Sequence, residues 1–322
     1  MTDEDAAEAT LAPDEAFAVL GDETRIGILR ALGAAEEPLS FSELRERVGV
    51  DDSGQFNYHL EKVVGHFVAK SDEGYTLRRS GRRVVEAVLS GAVTETPAFE
   101  RTRIEEACEY CGAPVEVRWR SGNVELFCTE CAGRYGQSYG ATKRPEPVAA
   151  GYLGRMPLPP AGLQGRTPDE IVRAAWTWSH LEMLAMSSGL CPRCSAPVET
   201  DVFVCEDHDA SDGLCDRCDG AHAVNVGARC TNCIFRSGGV LVVVLLADTA
   251  LLAFLTAHGL NPVAPDSIRR LNEVLADYDE TVLSTDPFRA RFTFGVDGDR
   301  LTLTVDDDLS VVGVDHGTAA SQ

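Results

Sequence analysis

CPRCSAPVETDVFVCEDHDASDGLCDRCDGAHAVNVGARCTNC, residues 191–233, holds seven of the chain's eleven cysteines in close pairs. Cys191/Cys194, Cys215/Cys218 and Cys230/Cys233 have the spacing C-x-x-C, whereas Cys205 is followed by His208 as C-x-x-H. Upstream, Cys108/Cys111 and Cys128/Cys131 repeat the C-x-x-C spacing. Two thiolates on one tight turn supply half of a tetrahedral metal shell. Eleven cysteines do not divide into shells of four. With His208 the count is twelve, which makes three sites. His208 is therefore expected to be the twelfth ligand, with His222 or a water at an open site as its rivals.

The first four cysteines flank VEVRWRSGNVELF, which alternates in polarity and turns at SGN. A hairpin of that kind brings two knuckles together, so residues 107–132 are expected to form a zinc ribbon. For residues 191–233 two pairings compete. Sequential ribbons join Cys191/Cys194 with Cys205/His208, and Cys215/Cys218 with Cys230/Cys233. An interleaved cross-brace joins Cys191/Cys194 with Cys215/Cys218, and Cys205/His208 with Cys230/Cys233. The ligand order resembles that of RING domains, but the six-residue gap from His208 to Cys215 is longer than those modules use, so no ubiquitin chemistry is carried over. Sequential ribbons are preferred, because each intervening loop suits a hairpin. Three closed sites leave no open coordination position, so the expected role of Zn2+ is structural rather than catalytic.

The chain has 322 residues, enough for two or three domains, and is 44% hydrophobic, enough to bury real cores. Its formal net charge is -22, and its only lysines are Lys62, Lys70 and Lys143. That balance fits a halophilic surface and disfavours nonspecific attraction to a polyanion. The acidic start, MTDEDAAEATLAPDE, has no basic or apolar signal region, and paired cysteines suit a reducing cytoplasm. The apolar run GGVLVVVLLADTALLAFLTAHG, residues 238–259, is long enough to cross a bilayer, but Asp248 falls in its middle. It reads better as a buried Val-rich strand followed by a helix, capped by Asp248 and stopped at Gly259. No membrane association is expected.

The fold class expected is multidomain α+β. A disordered tail (1–14) precedes a winged helix-turn-helix (15–92) and the first ribbon (107–132). A Gly/Pro-rich linker (137–166) leads to a helix plus two zinc modules (167–236), with Thr167 capping that helix. A small C-terminal α+β domain (237–315) closes the chain, with a hairpin at RARFTFGV and RLTLTVD. No P-loop and no H-E-x-x-H occurs, and the chain is read as a non-enzyme. Trp176 and Trp178 are expected to pack in a core more readily than to line a ligand pocket.

The N-terminal reading rests on DSGQFNYHLEKVVGHF, residues 52–67. Phe56, Leu60, Val63 and Phe67 fall on one helical face, and Gln55, Tyr58 and Lys62 on the other, with Asn57 and His59 flanking. An amide, a phenol and a cation are groups that bond base edges and phosphates. SFSELRERVGV before it and FVAKSDEGYTLRR after it complete a helix-turn-helix with a wing. Residues 45–83 carry eight Lys/Arg against six Asp/Glu, so basic groups concentrate here. Arg78 and Arg79 at the end of the wing are candidate backbone contacts.

LGDETRIGILRAL and FNYHLEKV resemble the opening helices and the recognition helix of ArsR-type winged-helix regulators, over roughly residues 14–90. The resemblance implies a homodimer on an inverted repeat in double-stranded DNA. The metal-sensing members of that family use cysteines within this domain, and here none precedes Cys108. The expected function is a sequence-specific transcription regulator with structural zinc modules. The alternatives are a zinc-stabilised protein adaptor and a zinc- or redox-responsive sensor, with a protein partner or small ligand at the C-terminal domain. The surface reading has its own test: transfer from molar salt to dilute buffer should unfold the chain, seen as loss of the circular dichroism signal. A signal unchanged on dilution contradicts halophily.

Overall fold

The fold is described from a computed structural model that covers residues 11–131, 133, 151–211, 215–218 and 220–318. The chain divides into two compact units, one up to Thr96 and one from Pro97.

The first unit runs α1 (Pro13–Leu20), α2 (Glu23–Gly33), α3 (Phe41–Val48), α4 (Ser53–Val63), β1 (Val68–Ser71), β2 (Gly74–Leu77) and α5 (Arg79–Leu89). Side-chain caps set several of the starts. The Asp22 carboxylate accepts from the Arg25 amide, Ser40 and Glu43 form a reciprocal capping box, and Asp52 accepts from the Gln55 amide at 2.7 Å. Gly49 ends α3 in the left-handed conformation. Ile28, Leu29, Leu44, Phe56, Leu60 and Val63 are wholly buried and form the core around α2. β1 and β2 form an antiparallel hairpin, and Leu39 adds a bridge to Tyr75.

Two expectations shift here. The tail predicted to end at residue 14 gives way to α1 at Pro13, and residues 1–10 lie outside the described residues. The helix expected to reach Phe67 stops at Val63, because Val64 turns extended and Gly65 takes φ +91°. The reversal still returns Phe67 to the core, at 5% exposure.

The second unit begins with an antiparallel sheet of β3 (Phe99–Ala107), β4 (Pro114–Arg120), β5 (Asn123–Cys128) and β6 (Tyr152–Pro157). A 3-10 turn (Pro160–Leu163) leads to α6 (Pro168–Ser187), which Thr167 and Glu170 cap as a box. Next come β7 (Val198–Val204), β8 (Val224–Cys230) and β9 (Arg236–Val240), paired in that order. The chain continues through α7 (Val242–Leu245), α8 (Thr249–Ala257) and α9 (Ile268–Leu275). It ends in a meander of β10 (Asp279–Thr285), β11 (Phe288–Val296), β12 (Asp299–Val305) and β13 (Val311–Thr318). Phe292, Phe294, Leu301 and Leu303, on the two strands expected to form a hairpin, are wholly buried.

The structure corrects the organisation in three places. The expected linker is strand β6 and a 3-10 turn in its described part, because β6 completes the first sheet beside β5, while residues 134–150 lie outside the described residues. The Val-rich run is not a strand beyond Val240; Leu241 turns helical and α7 follows. A segment apolar on every side carries no periodicity, so it cannot distinguish buried strand from buried helix. The helix after Asp248 is as expected, with Asp248 accepting from Ala250 at 2.8 Å and Gly259 at φ +68°.

The C-terminal segment is also not a separate domain. One apolar cluster runs from Ile104 to Val305. Trp176 Nε1 donates to the Pro262 carbonyl and Thr177 Oγ1 to the Val263 carbonyl, both at 2.9 Å. No helix among the described residues is long and apolar enough to cross a membrane.

The entry to α5 offers a test of the first unit. A Cβ at Gly81 would run into the Phe67 carbonyl oxygen, which also accepts from the Arg78 amide. Gly81→Ala should destabilise this unit by roughly 1–3 kcal/mol. Hydrogen exchange should then accelerate at α4 amides while those of β11 and β12 keep their protection.

Candidate metal centres

In the first sheet, the β4–β5 register pairs Val115 with Cys128. The knuckle before β4, Cys108/Cys111, therefore meets the one closing β5, Cys128/Cys131. Cys108 N donates to the Ala113 carbonyl and Gly112, at φ +72°, turns the chain into β4. The amides of Glu130 and Cys131 point at Cys128 Sγ, at 3.4 and 3.3 Å.

The second sheet repeats this plan. Val198 pairs with Cys230, as Val115 does with Cys128. Cys191 N donates to the Ala196 carbonyl, and Ser195 stands where Gly112 does, at φ +60°. Thr231 Oγ1 donates to the Pro197 carbonyl as Thr129 Oγ1 donates to that of Pro114. The equivalence was legible as CEYCGAPVE…CTEC against CPRCSAPVE…CTNC, a repeat that reading the cysteines alone misses.

The ribbons differ at the hairpin tip. β4 and β5 turn at Ser121 and Gly122, whereas β7 and β8 are joined by residues 205–223, which hold Cys205, His208, Cys215 and Cys218. The groups are thus Cys191/Cys194/Cys230/Cys233 and Cys205/His208/Cys215/Cys218. This overturns the expected sequential pairing, and the cross-brace as well: the two sites are nested. The physical reason is register. A seven-residue ladder holds one site at its base and the other at its tip, about 20 Å apart along the strands.

The donor geometry fits a metal ion. Sulfur edges are 3.7 Å for Cys108–Cys131, 3.5 Å for Cys111–Cys128, 3.6 Å for Cys191–Cys233 and 3.5 Å for Cys194–Cys230. A tetrahedral ion with sulfur at about 2.3 Å needs edges of about 3.8 Å. In the tip site His208 turns Nδ1 to within 3.5 Å of Cys218 Sγ, and Nε2–H donates to the Ala221 carbonyl at 3.3 Å. That second bond fixes the tautomer that leaves Nδ1 free to ligate. Arg217 ties the two knuckles of this site together through Asp207 Oδ2 at 2.7 Å and the Glu206 carbonyl at 3.1 Å. The rival His222 is committed elsewhere: it is buried, stacks on Tyr278 at 3.9 Å, and makes a 2.9 Å hydrogen bond from Nε2 to the Ala276 carbonyl.

The acid–base state of the thiols points the same way. Burial pushes Cys128 up, but the Glu130 and Cys131 amides and neighbouring thiols bring it down to about 7. Amides of Asp209, Arg217 and Cys218 bring Cys215 down to about 6. Burial and neighbouring thiols push Cys131 and Cys218 up to about 12. Without a cation, four packed sulfurs share protons, because adjacent thiolates repel. A divalent ion removes that conflict and ionises the whole set.

Of the residues expected to face DNA, Gln55, Asn57, Tyr58, Lys62 and Arg79 are exposed. Tyr58 is 58% exposed, and Lys62 Nζ lies 5.5 Å from its ring centroid. Asn57 Nδ2 is engaged by Glu61 at 2.8 Å. His59 turns inward instead: its side chain is 12% exposed, with Nδ1 3.1 Å from the Asp22 carboxylate but out of line for a hydrogen bond. Arg78 is half-buried where it precedes α5. The chain also carries one G-x-S-x-G match, GQSYG at residues 136–140, which the non-enzyme reading leaves out; it lies outside the described residues.

These features define a two-unit chain whose larger unit carries three four-donor centres suited to a metal ion. Residues 105–311 match a domain of unknown function, DUF7351, and residues 13–88 a second, DUF7347. The first match spans more than half of the chain, which therefore belongs to the DUF7351 family. No curated protein and no solved structure matches the chain.

Nested pairing makes a sharp test. Cys194→Ser with Cys230→Ser should cost one bound ion per chain, because both donors serve one site. Cys194→Ser with Cys205→Ser should cost two. Elemental analysis of the purified variants decides between them, and equal losses contradict the nested arrangement.

Proposed function

We propose that this chain is a sequence-specific DNA-binding transcription regulator, homodimeric, whose three centres hold structural Zn2+. The observation that carries the reading is the division of α4 into two faces. Phe56, Leu60 and Val63 are wholly buried, while Gln55, Tyr58 and Lys62 are exposed on the other side. A helix fixed so firmly by one face can present the other to a major groove. The order α3, short turn, α4, then a two-stranded hairpin supports a winged helix-turn-helix, as the ArsR-type resemblance implies. His59 drops out of the reading face, because it packs toward Asp22.

Zinc is supported by the donor set. All-sulfur and three-sulfur-one-nitrogen tetrahedra suit Zn2+, and four protein donors leave no position open for substrate. The centres then serve folding, since a small ribbon has little apolar core of its own. In concentrated salt the screening length is about 3 Å, so close groove contacts must carry affinity despite the charge of -22.

Binding-site selection from random DNA at high salt tests the proposal. Tyr58→Ala and Gln55→Ala should alter the preferred sequence, each costing roughly 1–3 kcal/mol at the bases contacted. Arg79→Ala should weaken binding to all sequences alike. If none of the three changes binding to the selected site, α4 is not the reading helix.

A further inference from the structure

A cavity of about 240 Å³ lies within the second unit, between its first sheet, α6, α7 and α9. Its wall is mostly apolar, with Leu126, Leu153, Met156, Trp176, Val242 and Leu275 among the residues lining it. Two adjacent polar residues of α6, Ser179 and His180, break that wall, and each is only 6% exposed.

Their state decides what the cavity accepts. His180 lies against Trp176, ring centroids 4.2 Å apart and planes 23° from parallel. Trp176 is itself held by its bond to the Pro262 carbonyl. His180 Nδ1 lies 3.0 Å from the Trp176 carbonyl. A carbonyl can only accept, so Nδ1 carries the proton and Nε2 presents a lone pair. Burial holds the imidazole below its ordinary pKa, which keeps it neutral. Among the described residues neither His180 Nε2 nor Ser179 Oγ has a hydrogen-bond partner. Neither atom is sealed in the interior, so both open onto the cavity, where a bound group can reach them. The charged residues lining the cavity are Glu106, Glu109, Arg155 and Arg269, two of each sign, so they favour neither anion nor cation.

We propose that this cavity binds a small neutral ligand, an alcohol or phenol with a hydrocarbon body, whose hydroxyl donates to His180 Nε2 and bonds Ser179 Oγ. A dry cavity of about 150 Å³ already accepts benzene, so a phenol bearing a short alkyl chain is of suitable size. A carboxylate is disfavoured, because it would set its lone pairs against that of the imidazole. The first metal centre adjoins the site, since Ala107 and Glu109 line the cavity on either side of Cys108. The inference stands on the second unit alone and does not depend on DNA binding.

Calorimetric titration of the full metal-loaded chain at high salt tests it, with 4-propylphenol, propylbenzene and 4-propylbenzoate as probes. The phenol should saturate one site at least about tenfold more tightly than propylbenzene, the scale of one hydrogen bond, and the benzoate should not saturate. His180→Phe keeps a ring against Trp176 but removes Nε2, and should reduce the phenol to the affinity of propylbenzene. Ser179→Ala should weaken the phenol alone, and it decides the matter if His180→Phe fails to fold. The proposal is overturned by no saturable phenol binding, by equal phenol and propylbenzene affinities, by tighter benzoate binding, or by phenol affinity unchanged in the folded variants.

Discussion

The larger unit depends on strand register within two hairpins. Val115 opposite Cys128 and Val198 opposite Cys230 place knuckles distant in sequence with their sulfurs 3.5–3.7 Å apart. At that separation thiolates repel, and the arrangement is stable only with protons or a cation among them. A slip of one residue would turn every side chain of a strand to the opposite face. It would take Val115, Val117 and Trp119, all buried, out of the core at the same time as it broke the centre. Apolar packing and ligand geometry thus select the same register, and each protects the other.

The same hairpins connect the centres to the rest of the unit. β4 and β5 lie in a sheet whose apolar side joins the cluster that reaches α6, α9 and the C-terminal meander. The cavity lies in that shared interior, and its polar pair sits on α6, the long helix whose first turn also meets β3 through Asp169 and the Glu105 amide. The second ribbon is tied in where the Ala223 and Val224 amides donate to Glu280 at the start of the meander. A thiol-rich module and an apolar interior are therefore parts of one folded body.

The first unit follows a different balance. Its acidic residues are used where a helix needs them, at the N-caps Asp22 and Asp52, so part of the heavy negative charge satisfies backbone amides. Asp22 also faces His59, which draws that histidine in beside α2 and out of the exposed stripe. Helical spacing assigns a residue to a sector of its helix; the neighbour packed against that sector decides whether it meets water or a carboxylate.

The twelve donors, the caps at Thr167 and Asp248, and the two faces of α4 were all readable from residue order. Each depends on contacts three or four residues apart, which local backbone geometry sets. The ribbon repeat was readable too, once the residues around the cysteines are compared. What residue order left open was non-local. Nested rather than sequential pairing, β6 beside β5, α7 in place of a strand, and a single core from Ile104 to Val305 in the second unit are all decided by which surfaces meet across long stretches of chain. Ser179 and His180 are unremarkable as letters in a helix, and only the packing of three elements around α6 turns them toward a common cavity. Ligand identity follows from the chemistry of the side chains, whereas ligand grouping follows from the register that buries the most apolar surface without separating the sulfurs.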